Sequence, residues 1–204
     1  MHKLQYITQG ETAESILKEV EETVDAGVQW IQLRVKNADF PLAPLVWRVK
    51  ELCEGKATLI INDRVELAKL TDADGVHLGL DDMPIQEARS ILGSDKLIGG
   101  TANTMEDCIN RQKDGADYIG LGPYRFTETK KKLSPVLGLN GYEELIPKKN
   151  TEITIPVLAI GGIELADIKK LSKQTGVFGV AVSSLIAKAT NKKTKVTQIN
   201  KALK

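Results

Sequence analysis

Three polar side chains alternate with apolar ones in the stretch QLRVK, which contains Gln32, Arg34 and Lys36. A period of two places these three side chains on one face of an extended chain and Leu33 and Val35 on the other. Burying three such groups together is unfavourable unless partners satisfy them. Arginine grips phosphate oxygens with two donors, and lysine adds a point charge. The stretch therefore predicts an anion clamp, and the alternative is a strand end that faces solvent.

Carboxylates follow the next two apolar runs. Asn62 and Asp63 close the run TLIIND, and Asp82 follows GVHLG within HLGLDDMP. Carboxylates beside a basic cluster suit a hard divalent cation, because Mg²⁺ takes one or two carboxylates plus oxygens of a phosphate co-ligand. We therefore predict a Mg²⁺ site on Asp63 and Asp82. For Asp82 the alternative is a helix N-cap ahead of Pro84, and the neighbouring Asp81 is the weaker candidate for a ligand.

A second anion site is predicted where the last two apolar runs end. Gly162 lies in AIGGI, and Ser183 and Ser184 lie in AVSSL. Paired glycines let the backbone approach a ligand closely, and the start of a following helix presents free N–H groups to an anion. A tight turn is the alternative for the glycine pair.

The basic stretch GPYRFTETKKKLSPVLGL, residues 122–139, lies between the two predicted sites in chain order. We assign Lys130 to the first anion site and the hydroxyls of Thr127 and Thr129 to the second. The alternative is a solvated basic loop, which is the ordinary role of a charge run.

Eight short apolar runs must position these residues, and an amphipathic stretch follows each run. The runs span residues 4–8, 30–34, 58–63, 75–79, 97–101, 118–122, 156–162 and 178–184. Several are almost continuously apolar, as strands covered on both faces are. Eight such units close most simply into a TIM (β/α)8 barrel, whose active site lies at the C-terminal ends of the strands. An open doubly wound sheet is the alternative. We find no linker, so one domain over residues 1–204 is predicted.

The overall charge is nearly balanced, with 28 Lys and Arg against 27 Asp and Glu. This balance argues against nucleic-acid binding, so the bound anions should be small molecules held by a local cluster. No apolar run approaches the roughly 18 residues that span a bilayer, and the N-terminus lacks the apolar core of a signal peptide. The distant Cys53 and Cys108 suit buried thiols in a reducing compartment. We expect a cytoplasmic protein without membrane or nucleic-acid partners, and a homo-oligomer stays open.

The motifs together resemble the thiamine-phosphate synthase (thiamine-phosphate pyrophosphorylase) family over nearly the whole chain. The segments that carry the resemblance are YIT, VQWIQLRVK, INDRVELA, ADGVHLGLDDMP, GADYIGLGP, TETK, PVLAIGGI and GVAVSSLI. The resemblance implies a TIM-barrel transferase that joins hydroxymethylpyrimidine diphosphate to hydroxyethylthiazole phosphate. Its products are thiamine phosphate and pyrophosphate, with pyrophosphate leaving first and the thiazole nitrogen capturing a pyrimidine methyl cation.

The resemblance also implies a role for each candidate residue. The pyrimidine diphosphate would contact Gln32, Arg34, Lys36, Asn62, Thr101 and Lys130, with Arg34 and Lys130 as catalytic residues. Mg²⁺ would bind Asp63 and Asp82. The thiazole phosphate would contact Thr127, Thr129, Gly162, Ser183 and Ser184.

Several residues depart from the family pattern. Leu80 stands where the family commonly has glutamine, and Asn103 stands at a usual histidine position within GGTANT, where Gly100 is expected to add flexibility. His77 is expected to be a core residue with a satisfied ring. Three alternatives stay open: a thiazole tautomerase-like paralogue, a non-catalytic thiazole-phosphate-binding protein, and another phosphate-handling barrel such as a sugar-phosphate epimerase.

Overall fold

Eight parallel strands close into a barrel in simple sequence order in the computed structural model, which describes residues 1–35, 38–126, 135–149 and 152–204. The strands are β1 (Leu4–Ile7), β2 (Trp30–Leu33), β3 (Thr58–Asn62), β4 (Gly75–Leu78), β5 (Leu97–Ala102), β6 (Tyr118–Leu121), β7 (Val157–Ile160) and β8 (Gly179–Val182). The barrel closes where β1 pairs with β8, with Leu4 opposite Val180. The predicted TIM barrel is thus confirmed, and the open sheet is excluded. The single-domain assignment stays a prediction.

Helices connect the strands and surround the barrel. They are α1 (Ala13–Asp25), α2 (Leu42–Cys53), α3 (Val65–Thr71), α4 (Ile85–Leu92), α5 (Met105–Lys113), α6 (Gly138–Leu145), α7 (Leu165–Gln174), α8 (Ser184–Ala187) and α9 (Lys192–Ala202). α1 shows how local sequence sets the limits of a helix. Thr12 and Ser15 form a capping box at its start, and Gly27 adopts a φ of 95° just past its end. Only glycine takes that conformation without strain, so the chain can turn there into β2.

Two apolar clusters divide the core. Ile31, Ile61 and Ile119 belong to the larger one, whereas their chain neighbours Trp30, Ile60 and Tyr118 belong to the smaller one. Because successive side chains of a strand point to opposite faces, the larger cluster lies between strands and helices and the smaller one fills the barrel interior. The barrel interior is therefore filled mainly by apolar and aromatic side chains.

Glycines on β5 and β6 make room for large side chains. A Cβ on Gly99 would lie 2.1 Å from Cζ of Tyr118, and one on Gly120 would lie 3.0 Å from Cε1 of His77. Gly100 was expected to loosen a loop, and that expectation is wrong. It is a buried residue of β5, where a Cβ would lie 2.7 Å from Cδ of Arg111. These glycines therefore provide space rather than flexibility.

The two cysteines lie on helices that face the core. Cys53 ends α2 and Cys108 lies on α5, and both are free and buried. Burial raises the pKa of each thiol to about 12, so neither forms an appreciable thiolate at neutral pH. The predicted buried thiols are confirmed. Within the described ranges, no helix is long and apolar enough to cross a membrane.

Substituting Gly99→Ala should lower the free energy of unfolding by about 1–3 kcal/mol, because the added methyl overlaps the buried Tyr118 ring. Urea denaturation measures the change. Gly141→Ala on α6 is the matched control, since its methyl meets only the neighbouring Leu137 side chain. Equal stabilities of the two variants would contradict this account of Gly99.

Candidate functional site

A cavity of about 490 Å³ opens at the C-terminal ends of the strands. Every predicted site residue that the structure describes lines it: Gln32, Arg34, Asn62, Asp63, Asp82, Thr101, Gly162, Ser183 and Ser184. The predicted residues Lys36, Thr127, Thr129 and Lys130 lie outside the described part of the chain. Closure of the barrel thus brings together residues that are up to 152 positions apart, from Gln32 to Ser184.

The anion clamp begins inside β2 and continues past its end. Gln32 is 2 % exposed, and the next cavity residue on the same face is Arg34. The Thr8 hydroxyl accepts a hydrogen bond from the Arg34 backbone N–H at 2.9 Å, which holds this strand end against β1. Burial lowers the pKa of Arg34, and the charge of Asp63 opposes that shift. Among the described residues, no hydrogen bond or ion pair within 4 Å engages its guanidinium, so its donors can receive an anion.

Two carboxyls lie beside the clamp. Asp63 follows β3 with a φ of 63°, a left-handed conformation that Asp and Asn adopt more readily than most residues. The pKa of Asp63 is raised to about 7, mainly because partial burial removes water from the carboxylate. A hydrogen bond with Asp82 and repulsion from its charge also raise this pKa, while the charges of Arg34 and Arg64 lower it. The Asp63 side chain nevertheless stays open to the cavity solvent. Near neutral pH the Asp63 carboxyl is therefore partly protonated and hydrogen-bonded to Asp82.

The N-cap alternative for Asp82 is wrong. The N-cap residue of α4 is Pro84, and no side chain caps this helix. Asp82 instead accepts a hydrogen bond at 2.6 Å from the backbone N–H of Gly79, which fixes the turn after β4, and its side chain also contacts Asp63 at the cavity. No group of three or more His, Cys, Asp or Glu suited to a metal occurs among the described residues. A pair of carboxylates still fits Mg²⁺, which completes its shell with water and substrate oxygens.

The second anion site lies across the cavity. Gly161 and Gly162 have φ values of 94° and 64°, and a Cβ on Gly162 would lie 2.9 Å from Cβ of Arg125. Glycine is therefore required here both for its conformation and for its size. Ser183 and Ser184 follow β8 at the same rim. Among the described residues, this side of the cavity offers backbone groups and hydroxyls instead of charged side chains.

Arg125 is a tether for the basic stretch. Its guanidinium donates to both oxygens of Asp167, at 2.8 and 3.1 Å, and to the carbonyl of Gly162 at 2.6 Å. Burial alone would raise the pKa of Asp167, but hydrogen bonds from Arg125 and from the backbone N–H of Glu164 bring this pKa below its usual range. The start of the loop after β6, at Arg125, is thus fixed to the loop after β7 and to the first turn of α7. Sequence reasoning missed Asp167, whose only signal was its position in the capping box ELAD.

A chain of buried polar groups runs beneath the cavity. The Gln32 amide donates to the Gln5 amide oxygen at 3.3 Å, and the Gln5 amide donates to the Tyr118 hydroxyl at 3.2 Å. The His77 ring lies 3.2 Å from that hydroxyl through Nδ1 and 3.1 Å from the Thr101 hydroxyl through Nε2. The predicted satisfied ring of His77 is confirmed, although the residue also lines the cavity. Gln5 and Tyr118 were missed because nothing local distinguishes them from other strand residues.

The two departures from the family pattern also lie at the cavity. The Asn103 side-chain amide donates to the carbonyl of Gly122, and its backbone N–H donates to Asp107 at 2.9 Å. Asn103 therefore supports the start of the basic stretch. Leu80 is 44 % exposed and presents an apolar side chain at the rim.

Comparison with characterised families decides the identity of this barrel. A family model described as thiamine monophosphate synthase matches residues 4–186. The thiamine-phosphate synthase of Flavobacterium johnsoniae is 52% identical over 208 residues, covering 99% of this chain and 96% of that protein. The chain belongs to the thiamine-phosphate synthase family. The thiamine-phosphate synthase activity expected from the sequence is thereby confirmed.

Further members of the thiamine-phosphate synthase family agree in sequence and in fold. The thiamine-phosphate synthase of Bacteroides fragilis strain NCTC 9343 is 49% identical, covering 93% of this chain and 94% of the relative. The solved thiamine phosphate pyrophosphorylase from Pyrococcus furiosus superposes with a TM-score of 0.83 at 31% identity, covering 98% and 95%. A 3-hexulose-6-phosphate synthase superposes at 0.70 with 16% identity, which shows the shared fold alone. Membership in the family excludes the sugar-phosphate epimerase alternative.

Substituting Asp167→Asn should lower the free energy of unfolding by about 1–3 kcal/mol, because the variant loses charge-assisted hydrogen bonds to Arg125. Urea denaturation at neutral pH measures the loss. The difference from wild type should shrink as the pH falls through the lowered pKa of Asp167, since protonation then neutralises the wild-type carboxyl too.

Glu51→Gln is the matched control for Asp167→Asn, because Glu51 pairs with Arg48 at 2.8 Å on the exposed face of α2. Its loss should stay below about 1 kcal/mol. If the two variants lost equal stability, Arg125 and Asp167 would be no more than an ordinary surface pair.

Proposed function

We propose that this member of the family joins hydroxymethylpyrimidine diphosphate to hydroxyethylthiazole phosphate within the cavity, using Mg²⁺ held by Asp63 and Asp82. One observation carries the proposal: the Arg34 guanidinium, which no described residue pairs with, lies beside the Asp63 carboxyl, whose proton is held by burial and by the contact with Asp82. A cation that displaces this proton, together with a polyanion that engages Arg34, would satisfy all three groups. A metal-bound diphosphate supplies both partners.

The diphosphate end of the site lies on β2 to β5. Arg34 provides a charged fork for phosphate oxygens, while Asn62 and Thr101 provide neutral donors at the neighbouring strand ends. When bound, Mg²⁺ would neutralise negative charge on the diphosphate. The protein groups hold the departing diphosphate in place and stabilise the charge that develops on its oxygens. Gln32, at the buried end of the clamp, has an amide suited to the aminopyrimidine edge.

The thiazole phosphate is assigned to the other side, at Gly162, Ser183 and Ser184. The reaction breaks the bond between the pyrimidine methylene carbon and the diphosphate oxygen, and the bonding electrons leave with the diphosphate. The thiazole nitrogen then donates its lone pair to the methylene carbon. Holding the two substrates on facing walls keeps the nitrogen near this carbon, and the apolar wall beside it limits attack by water.

The remaining assignments rest on the family resemblance. We place Lys36 and Lys130 with the diphosphate, and Thr127 and Thr129 with the thiazole phosphate. The Arg125 tether supports this placement, because it fixes the chain two residues before Thr127 at the rim.

One observation and one chemical argument disfavour the tautomerase and the non-catalytic alternatives. Asn103, at the position where proton transfer would need histidine, has its amide engaged with Gly122. A protein that only isomerises or binds thiazole phosphate has no use for the clamp of Arg34 or for the carboxyls of Asp63 and Asp82.

The purified protein should release pyrophosphate only when both substrates and Mg²⁺ are present, and the organic product should have the mass of thiamine phosphate. A coupled pyrophosphate assay with mass spectrometry tests this prediction. Release that continues at the same rate without thiazole phosphate would show hydrolysis of the diphosphate and would refute the coupling.

Mg²⁺ should bind the free protein about tenfold more weakly at pH 6 than at pH 8, because it must displace the proton of Asp63, whose pKa is about 7. Binding near pH 7 should therefore release a proton. Titration calorimetry in buffers of different ionisation enthalpy measures both effects.

Asp63→Asn is the informative variant for this test, since Asn tolerates the left-handed backbone at this position. It should abolish both the proton release and most of the activity. Asp95→Asn, an exposed change on the loop between α4 and β5, is the control and should alter neither. Mg²⁺ binding that is independent of pH, or unchanged in Asp63→Asn, would remove Asp63 from the metal site.

A further inference from the structure

The buried polar chain beneath the cavity has a direction that its hydrogen-bonding capacities determine. Gln5, Gln32, His77 and Tyr118 are each at most 5 % exposed, so each polar atom in the chain must find its partner within the protein. The chain links Gln32 on β2 to Thr101 on β5, across the barrel interior. Both ends of the chain line the cavity.

The hydroxyl of Tyr118 sets this direction. Its oxygen accepts the amide N–H of Gln5 at 3.2 Å. Burial raises the pKa of Tyr118 and keeps the hydroxyl protonated. The Gln5 amide nitrogen can only donate, so among the described contacts the acceptor for the hydroxyl proton is Nδ1 of His77 at 3.2 Å.

The tautomer of His77 follows from that donation. A neutral imidazole whose Nδ1 accepts a proton carries its own hydrogen on Nε2. This Nε2–H then donates to the hydroxyl oxygen of Thr101 at 3.1 Å. Once that oxygen accepts from His77, the Thr101 proton points away from the ring. Thr101 lines the cavity, so the proton is available there to an anionic oxygen.

The barrel accommodates this chain at specific positions. Gly99 and Gly120 leave the space that the rings of Tyr118 and His77 occupy. Trp30 packs edge-on against Tyr118, with ring centroids 4.8 Å apart. The two rings thus have little freedom to exchange partners, so the packing fixes which groups face Nδ1 and Nε2 of His77.

We propose that His77 is a positioning residue that holds the Thr101 hydroxyl as a hydrogen-bond donor to the diphosphate of the pyrimidine substrate. The role deepens the proposed function and rests on it. His77 itself takes no proton from the substrate. It acts through Thr101, and the neutral Nε2–H tautomer is what makes the hydroxyl a donor and not an acceptor.

Nitrogen NMR of the imidazole side chains tests the tautomer without any turnover. The sequence contains two histidines, so a His2→Gln variant leaves His77 as the single imidazole signal. At mildly alkaline pH the spectrum should show a neutral ring protonated at Nε2. A ring protonated at Nδ1 would overturn the proposal, because Thr101 would then donate its proton to His77.

A double-mutant cycle tests whether His77 acts through Thr101. Thr101→Val and His77→Asn should each lower kcat/KM for the pyrimidine diphosphate by about tenfold or more, with KM for the thiazole phosphate unchanged. The double variant should be no worse than Thr101→Val alone. His77→Gln should recover part of the loss, since its amide can donate near the position of Nε2. If the double variant instead lost activity by the product of the two single losses, the proposal would be overturned.

Two further measurements show why a variant loses activity. Urea denaturation detects a folding defect, and the activity of the wild type tests the proposed function independently of the role of His77. Urea denaturation reports whether His77→Asn folds; if it does not, Tyr118→Phe replaces it, and removing the hydroxyl donor should release the tautomer preference of His77. Persistence of a single Nε2–H tautomer in Tyr118→Phe would contradict the chain. A wild-type protein that forms no thiamine phosphate would refute the proposed function, whereas an active wild type with additive variants would refute only the role of His77.

Discussion

The central constraint on this site is the placement of a desolvated arginine beside two carboxyls that cannot easily ionise together. Burial disfavours the charge of Arg34, and mutual repulsion disfavours a second charge on the pair of Asp63 and Asp82. Such an arrangement is costly in an empty cavity and becomes favourable only when a cation and an anion enter together. In the proposed function, this arrangement favours a metal-bound polyanion more strongly than a simple basic patch would.

The cavity has two chemically different sides. Charged and strongly polar side chains line it on β2 to β5, whereas Ile160, Ile163 and Ala181 line it on the side of β7 and β8. In the proposed reaction, the departing diphosphate lies on the first side and the thiazole lies against the second. A pyrimidine methyl cation formed at the boundary meets the thiazole nitrogen before it meets water. The same proposal assigns the singly phosphorylated substrate to the side that offers backbone groups and hydroxyls.

Sequence reasoning succeeded where local pattern determines position. The alternation around Arg34 and the carboxylates at the ends of β3 and β4 located the cavity, because in a barrel all C-terminal strand ends meet. It failed where contacts join distant parts of the chain. The pair of Arg125 and Asp167 spans 42 residues, and the pair of Gln5 and Tyr118 spans 113. No spacing rule predicts such partners, because only the three-dimensional packing brings them together.

The errors in the sequence analysis come from contacts that local preference does not reveal. Asp82 precedes Pro84 as an N-cap residue often does, yet the turn at Gly79 uses its carboxyl first. Gly100 resembles a loop glycine, yet it is a strand residue that makes room for Arg111. In the first case a turn contact three residues away overrides the capping preference, and in the second the packing of Arg111 from α5 requires the glycine. The contacts of His77 with Tyr118 and Thr101 likewise depend on packing across the barrel, and in the network proposed here the Tyr118 hydroxyl determines which way Thr101 presents its proton to the cavity.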